Sequence, residues 1–229
     1  MNKTKYSIVI PVYNEEESVL PLEKSARETM ESLGKPYEII FINDGSTDGT
    51  LANLKSLRSD NPNLNIVTLE KNSGQTASLR VGFQIAKGDV VVSMDGDLQN
   101  DAKDIPHLLK KIDEGYDVVC GWRKDRHDSL WKKAASKIAN LVQGTVFKSN
   151  LHDISCTLRA YRRESLRDLD LSWSGAHRFI PYLLIRQNRK ISEVVVTHHA
   201  RKYGKSKYSP TKIFRTSRDF VKLLIERKI

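Results

Sequence analysis

In the first half of the chain, short apolar runs alternate with stretches of helical periodicity, and every run but the last ends in a cluster of small polar residues. Runs rich in Val and Ile at residues 6–12, 38–42, 64–69, 90–94 and 117–120 read as strands. Between them, residues 18–33, 50–58, 75–86 and 104–114 space their apolar side chains at helical intervals. This βαβα order predicts a three-layer α/β/α domain around a mostly parallel sheet. Ligands of such sheets bind outside the carboxyl ends of the strands. The polar clusters fall there: Asn14-Glu15-Glu16, Asn43-Asp44-Gly45-Ser46, Asn72-Ser73-Gly74-Gln75 and Asp95-Gly96-Asp97. Neither GxGxxG nor GxxxxGK[ST] is present, so this edge is neither a dinucleotide fingerprint nor a P-loop.

The second half is less regular. Helices are expected at 129–147 and 178–187, strands at 157–161 and 191–197, and a basic loop at 198–208. Residues 211–227 form an amphipathic pattern, with Ile213, Phe220, Val221 and Leu224 near one side and Lys212, Arg215, Arg218 and Lys222 elsewhere. The expected division is 1–120 for the first half of one domain, 121–208 for its second half, and 209–229 for a basic C-terminal helix.

Charge divides the chain at the same place. Residues 1–120 carry 13 Lys+Arg against 19 Asp+Glu, a net of −6, and residues 121–229 carry 25 against 9, a net of +16. A basic half implies a polyanionic partner: nucleic acid, an anionic membrane surface or a phosphate-bearing substrate. The 229 residues suffice for a core without staples, and Cys120 and Cys156 are too few for a disulfide framework or a zinc site. No apolar stretch approaches the ~20 residues that span a bilayer, and no secretory leader is expected.

The sharpest local signal is Asp95-Gly96-Asp97-Leu98-Gln99 after the apolar run Val90-Val91-Val92-Ser93-Met94. Two carboxylates flanking a glycine beyond a strand end present oxygen ligands suited to Mg²⁺ or Mn²⁺, and such an ion steadies a diphosphate leaving group. A solvated Asp-Gly turn is the plain alternative. Asp48 or Ser46 is placed to cap the helix at 50–58. Asp44 comes too early for that cap and is left for a ribose or base. His198-His199 reads as structural, and Cys156, with no partner base evident, reads as a small buried side chain.

Four ordered segments, Pro11-Val12-Tyr13-Asn14-Glu15, Asn43 to Asp48, Asn72-Ser73-Gly74 and Asp95 to Gln99, resemble the inverting family 2 glycosyltransferases of GT-A fold. Within that family, Gly121-Trp122-Arg123, residues 132–136, residues 153–159 and residues 201–207 resemble the polyprenyl-phosphate hexosyltransferases, dolichol-phosphate mannose synthase and its bacterial relatives among them. The resemblance implies a hexose transferred from a UDP- or GDP-sugar to dolichyl or undecaprenyl phosphate, with Mg²⁺ or Mn²⁺. It implies nucleoside contacts from Pro11, Tyr13, Glu15 and Asp44, and Asp95 by the ribose or sugar. Asp97 and Gln99 would hold the metal and diphosphate. Asp95, Asp97 and Arg123 would form the catalytic group. Arg123, Lys132, Ser136, Arg201 and Lys207 would grip the lipid phosphate, and Asp153 would touch the sugar or order the acceptor loop.

The chain departs from its relatives in three places. Lys132 stands where arginine is frequent, Asn100-Asp101 where prolines are, and Trp122 where a small residue is. Many relatives continue into transmembrane helices at this point. The expectation here is an enzyme peripheral at the cytoplasmic face of a membrane, or one anchored by a membrane partner.

A phosphate monoester acceptor is already anionic near neutral pH. Attack on the anomeric carbon then needs cations to align two phosphates, not a general base. A hydroxyl acceptor would need a base, for which Asp153 is the one candidate. A nucleic-acid module would leave the acidic strand ends without a role, and no recognition motif for DNA or RNA is present.

Overall fold

A computed structural model describes residues 4–124 and 151–203. The helices expected at 129–147 and 211–227, and with them Lys132, Ser136 and Lys207, lie outside the described residues.

Seven strands form one sheet in the order β3-β2-β1-β4-β6-β5-β7. They are β1 Tyr6–Val12, β2 Tyr37–Asn43, β3 Leu64–Thr68, β4 Val90–Ser93, β5 Val118–Trp122, β6 Arg159–Arg162 and β7 Ile191–Val195. The helices are α1 Val19–Ser32, α2 Thr50–Asp60, α3 Gln75–Ile85, α4 Ile105–Asp113 and α5 Ile180–Arg186. All strand pairs are parallel except those of β6, which runs antiparallel to both β4 and β5. The sheet is thus mostly parallel and the chain three-layered, as the alternation predicts. The reversed β6 is not readable from its own residues.

Alternation along the strands builds both layers. On β1, Ile8, Ile10 and Val12 face one core with Leu22, Ala26 and Met30 of α1, Leu54 of α2, and Ile105, Leu108 and Ile112 of α4. Val9 faces the other with Ile40, Ile42, Val91, and Leu79 and Phe83 of α3. Ile180 and Leu184 of α5 extend that second core under β5 and β6. Burial on both faces explains why these strands read as continuous apolar runs.

Register brings the strand ends level. Val12 lies beside Asn43, Asn43 beside Thr68, and Val9 beside Ser93. Because β6 is reversed, its first residue, Arg159, lies beside both Ser93 and Cys120. The segment leading into β6 therefore joins the carboxyl edge of the parallel strands.

Close packing of α3 on the sheet depends on Gly82, where an added Cβ would stand 2.3 Å from Val9 Cγ1. In an exposed helix, Gly→Ala gains up to about 1 kcal/mol. Here Gly82→Ala is expected to cost about 1–3 kcal/mol through overpacking, read as a lower urea midpoint at unchanged m-value. A midpoint at or above that of the parent protein would show that Val9 yields freely.

Candidate active site

The turn after β1 is stitched to the turn after β2. Asn14 adopts φ +49°, in the left-handed region that Asn tolerates. Its amide oxygen accepts from Thr47 N at 2.9 Å, and its own N–H donates to Ser46 Oγ at 3.0 Å. Glu15 N donates to Thr50 Oγ1 at 2.8 Å, which ties the same turn to the start of α2. The N-cap of α2 is Gly49, and Asp48, expected to cap, stands one residue ahead of it and accepts from Thr50 N at 3.0 Å. Pro11 and Tyr13 are half-buried beside this turn, while Glu15 is buried at 8% exposure.

Asp44 is buried and, as its position predicts, takes no part in the α2 cap. Its two carboxylate oxygens accept from Ser73 N at 2.7 Å and Gly74 N at 2.8 Å. Gly45 makes this approach feasible. Its φ is +67°, and a Cβ there would stand 2.6 Å from the Lys71 carbonyl carbon. Asp44 thus fixes the turn that launches α3, and Gln75 at the first position of α3 donates to Asp95 Oδ1 at 2.6 Å.

Thr157, just ahead of β6, donates to the second oxygen of Asp95. Burial pushes the Asp95 carboxyl up to about 6, with the charge of Asp97 adding to the shift and Thr157, Arg123 and Arg159 opposing it. Its neighbour Gly96 packs where a Cβ would meet Val12 Cγ1 at 2.6 Å, so no larger residue fits between the two aspartates without a shift. Asp97 Oδ1 accepts from Gln99 N at 3.2 Å, closing the Asp95–Gln99 loop on itself.

The segment after β7 lies along that loop. Thr197 N donates to Asp104 Oδ2 at 2.7 Å, Asn100 and His198 form an antiparallel bridge, and His199 N donates to Gln99 O at 2.9 Å. The His199 ring meets Asp101 at 3.1 Å. Two residues on, Arg201 donates to Asp97 Oδ2 and places its other terminal nitrogen 3.9 Å from Glu15 Oε1. His199 thus aligns this strip through its ring, and His198 through its backbone.

Arg123, just beyond β5, is held by Asp153. Arg123 Nε donates to Asp153 Oδ2 at 2.7 Å and Nη2 to Oδ1 at 3.0 Å, a bidentate pair, and Nη2 also meets Ser155 Oγ at 2.8 Å. Asp153 is 3% exposed, with both oxygens turned to Arg123 rather than outward. Behind them, Arg159 is fully buried and donates to Ile154 O at 2.6 Å and His177 O at 3.1 Å. Burial pushes Cys120 up to about 12 and Cys156 up to about 11, so neither is a thiolate nucleophile near neutral pH.

One edge therefore gathers Glu15, Asp44, Asp95, Asp97 and Gln99 from the first half and Arg123, Asp153 and Arg201 from the second. Sequence reasoning named all eight. It assigned no role to Gln75, Thr157 and Arg159, which hold or flank Asp95. The available signal was Arg159 itself, a cation inside an apolar strand pattern, where an unneutralised charge is costly.

Residues 7–170 match the glycosyl transferase family 2 profile. A dodecaprenyl-phosphate galacturonate synthase of Rhizobium johnstonii is 40% identical over 223 residues, which cover 95% of this chain and 66% of that protein. Among solved structures, glucosyl-3-phosphoglycerate synthase from Mycobacterium tuberculosis, in complex with Mn²⁺, UDP and phosphoglyceric acid, superposes with a TM-score of 0.73 at 18% identity, covering 98% of this chain and 78% of that one. S. aureus TarS in complex with UDP-GlcNAc superposes with a TM-score of 0.68 at 23% identity, covering 97% of this chain and 67% of that one. These two share the fold. With the family profile matched over most of its length, the chain belongs to glycosyl transferase family 2.

Proposed function

We propose that the chain transfers a hexosyl or hexuronosyl unit from a nucleoside-diphosphate sugar to polyprenyl phosphate, with inversion at the anomeric carbon. One observation carries the reading. Carboxylates of the acidic half and arginines of the basic half meet at a single strand edge, in a chain 40% identical to a protein that makes a dodecaprenyl-phosphate sugar.

Pro11, Tyr13, Glu15 and Asp44 line the nucleoside side, and Asp95 faces the ribose or sugar. The donor set at Asp97 and Gln99 is all oxygen, which suits Mg²⁺ or Mn²⁺. A cation already rests on Asp97 in the form of the Arg201 guanidinium, so the carboxylate is oriented toward positive charge. Among the described residues, no three His, Cys, Asp or Glu side chains converge as a cage. An ion held by Asp97 and Gln99 would complete its shell with diphosphate oxygens and water, and would supply charge neutralisation to the departing nucleotide.

On the acceptor side, Arg123 through its remaining Nη1 and Arg201 offer guanidinium N–H groups for phosphate, with Lys132, Ser136 and Lys207 assigned to the same role. Asp153 serves as a positioning residue that aims Arg123, the loop-ordering alternative of the two roles implied by resemblance. Its burial also weakens the competing reading, a hydroxyl acceptor, since the one candidate base is bound to Arg123. The lipid substrate places the protein at a membrane surface. Among the described residues, no helix is long and apolar enough to cross one.

A transfer assay tests the reading, using polyprenyl phosphate in detergent, radiolabelled UDP- and GDP-hexoses with UDP-galacturonate, and Mn²⁺ or Mg²⁺ against EDTA. Metal-dependent label in the lipid phase is the expected result. Donor binding without a lipid product would move the reading to a hydroxyl acceptor or a required membrane partner. Asp97→Asn is expected to lower transfer at least about 100-fold, and unchanged turnover would remove Asp97 from the site.

The Arg123–Asp153 pair makes a separate prediction. Removing one partner of a buried ion pair costs about 3–5 kcal/mol. The side chains are 13% and 3% exposed, so this magnitude applies. Asp153→Ala is expected to lower stability on that order and to raise the KM for lipid phosphate more than the KM for donor. Equal changes in both KM values would make the pair purely structural.

A further inference from the structure

Arg201 is in an unusual position for a residue assigned to the acceptor. Its Nη2 donates to Asp97, and its Nη1 lies 3.9 Å from Glu15, buried and with no hydrogen-bond partner in the structure. The guanidinium thus stands between two donor-side carboxylates while one of its buried N–H groups goes unused. A buried donor left unsatisfied costs about 1–3 kcal/mol. The contact is therefore held in place by charge while part of its hydrogen-bonding capacity stays idle.

The surroundings explain why a cation is needed. Asp95, Asp97 and Glu15 share one corner of the sheet edge, and Asp97 already disfavours charge on Asp95. Without a counter-ion these carboxylates repel one another. The strip from Thr197 to His199 delivers Arg201 to that corner, since its hydrogen bonds run register by register along the loop from Gln99 to Asp104. Backbone and histidine contacts anchor the strip, whereas Arg201 itself is held through its side chain alone, by the Asp97 contact and the charge of Glu15.

We propose that Arg201 is an exchangeable counter-ion: its guanidinium neutralises Asp97 and Glu15 while the donor site is empty, yields Asp97 to the divalent ion that accompanies the donor, and only then turns to the acceptor phosphate. The inference rests on the reading of Asp97 as a metal ligand. The divalent ion and the Arg201 guanidinium draw on the same carboxylate charge and repel each other, so each weakens the other's hold on Asp97. This antagonism is reciprocal. Whatever binds Asp97 frees Arg201 for phosphate, so the donor is bound before the acceptor grips. Arg201 is on this account a positioning residue in the empty enzyme and a binding residue in the loaded one.

The test needs no lipid and no turnover. Mn²⁺ is titrated by calorimetry into the parent protein, Arg201→Ala, Arg201→Lys and Asp97→Asn, each checked for folding by thermal melting. Arg201→Ala is expected to bind Mn²⁺ alone about 5-fold tighter or more than the parent, with Arg201→Lys between them. Equal or weaker binding by Arg201→Ala, while Asp97→Asn still abolishes it, overturns the counter-ion role and leaves the metal site standing. Mn²⁺ affinity untouched by Asp97→Asn removes the metal reading and the inference with it. A second titration uses inorganic phosphate. The parent is expected to bind it more tightly with Mn²⁺ and UDP present than without, and Arg201→Ala to lose that enhancement. Phosphate affinity indifferent to Mn²⁺ and UDP sinks the release of Arg201.

Discussion

The parallel register of β1 with β2 and β4 governs everything else at this edge. With Val12 beside Asn43 and Val9 beside Ser93, the strands end level enough for their turns to touch. Asn14 can then bind the turn at Ser46 and Thr47, and Asp44 can reach across to Ser73 and Gly74. A slip of one residue would send each side chain to the opposite face of the sheet and would break these links together. The two apolar cores penalise such a slip, because β1 alternates Ile8 and Ile10 on one face with Val9 on the other. Burial thus sets register, and register sets the site.

Much of this could be read in advance because the strands are buried on both faces and therefore announce themselves as apolar runs. The polar residues after each run fall at the carboxyl edge by geometry, whatever their role. Pairing direction is a different matter. Nothing in Arg159-Ala160-Tyr161-Arg162 tells whether it lies parallel or antiparallel to β4, since the choice depends on where the chain enters the sheet. The partners of Asp44 and Asp153 were hidden for a related reason: a carboxylate's charge is visible in sequence, but which N–H or guanidinium it meets depends on elements 29 and 30 residues away. Asp44, read as lying outside the α2 cap, also braces the turn at Ser73 and Gly74. Of the two roles expected of Asp153, touching the sugar or ordering the acceptor loop, its hold on Arg123 and Ser155 fits the second.

The reversed strand has a functional consequence. Were β6 parallel to β4, its end at Arg162 would reach the carboxyl edge. Run backwards, it brings its start there, and Thr157 and Arg159 arrive beside Asp95. The acidic half alone would stack Asp95, Asp97 and Glu15 with no compensation. The second half enters the same edge three times, after β5 with Arg123, at the start of β6 with Arg159, and after β7 with Arg201, and each entry adds a cation.

These arginines differ in how firmly they are fixed, and that difference suits the chemistry. Arg159 is sealed under the site by two carbonyl oxygens and is a permanent positive charge. Arg123 is clamped by a bidentate carboxylate and keeps its orientation. Arg201 is tied by one hydrogen bond on an otherwise anchored strip. In the proposed transfer, two phosphates must approach each other, and cations must be present throughout without occupying the space that the substrates need. Fixed cations behind the carboxylates satisfy the first demand. A loosely held one satisfies the second, because it neutralises the empty site and can leave it.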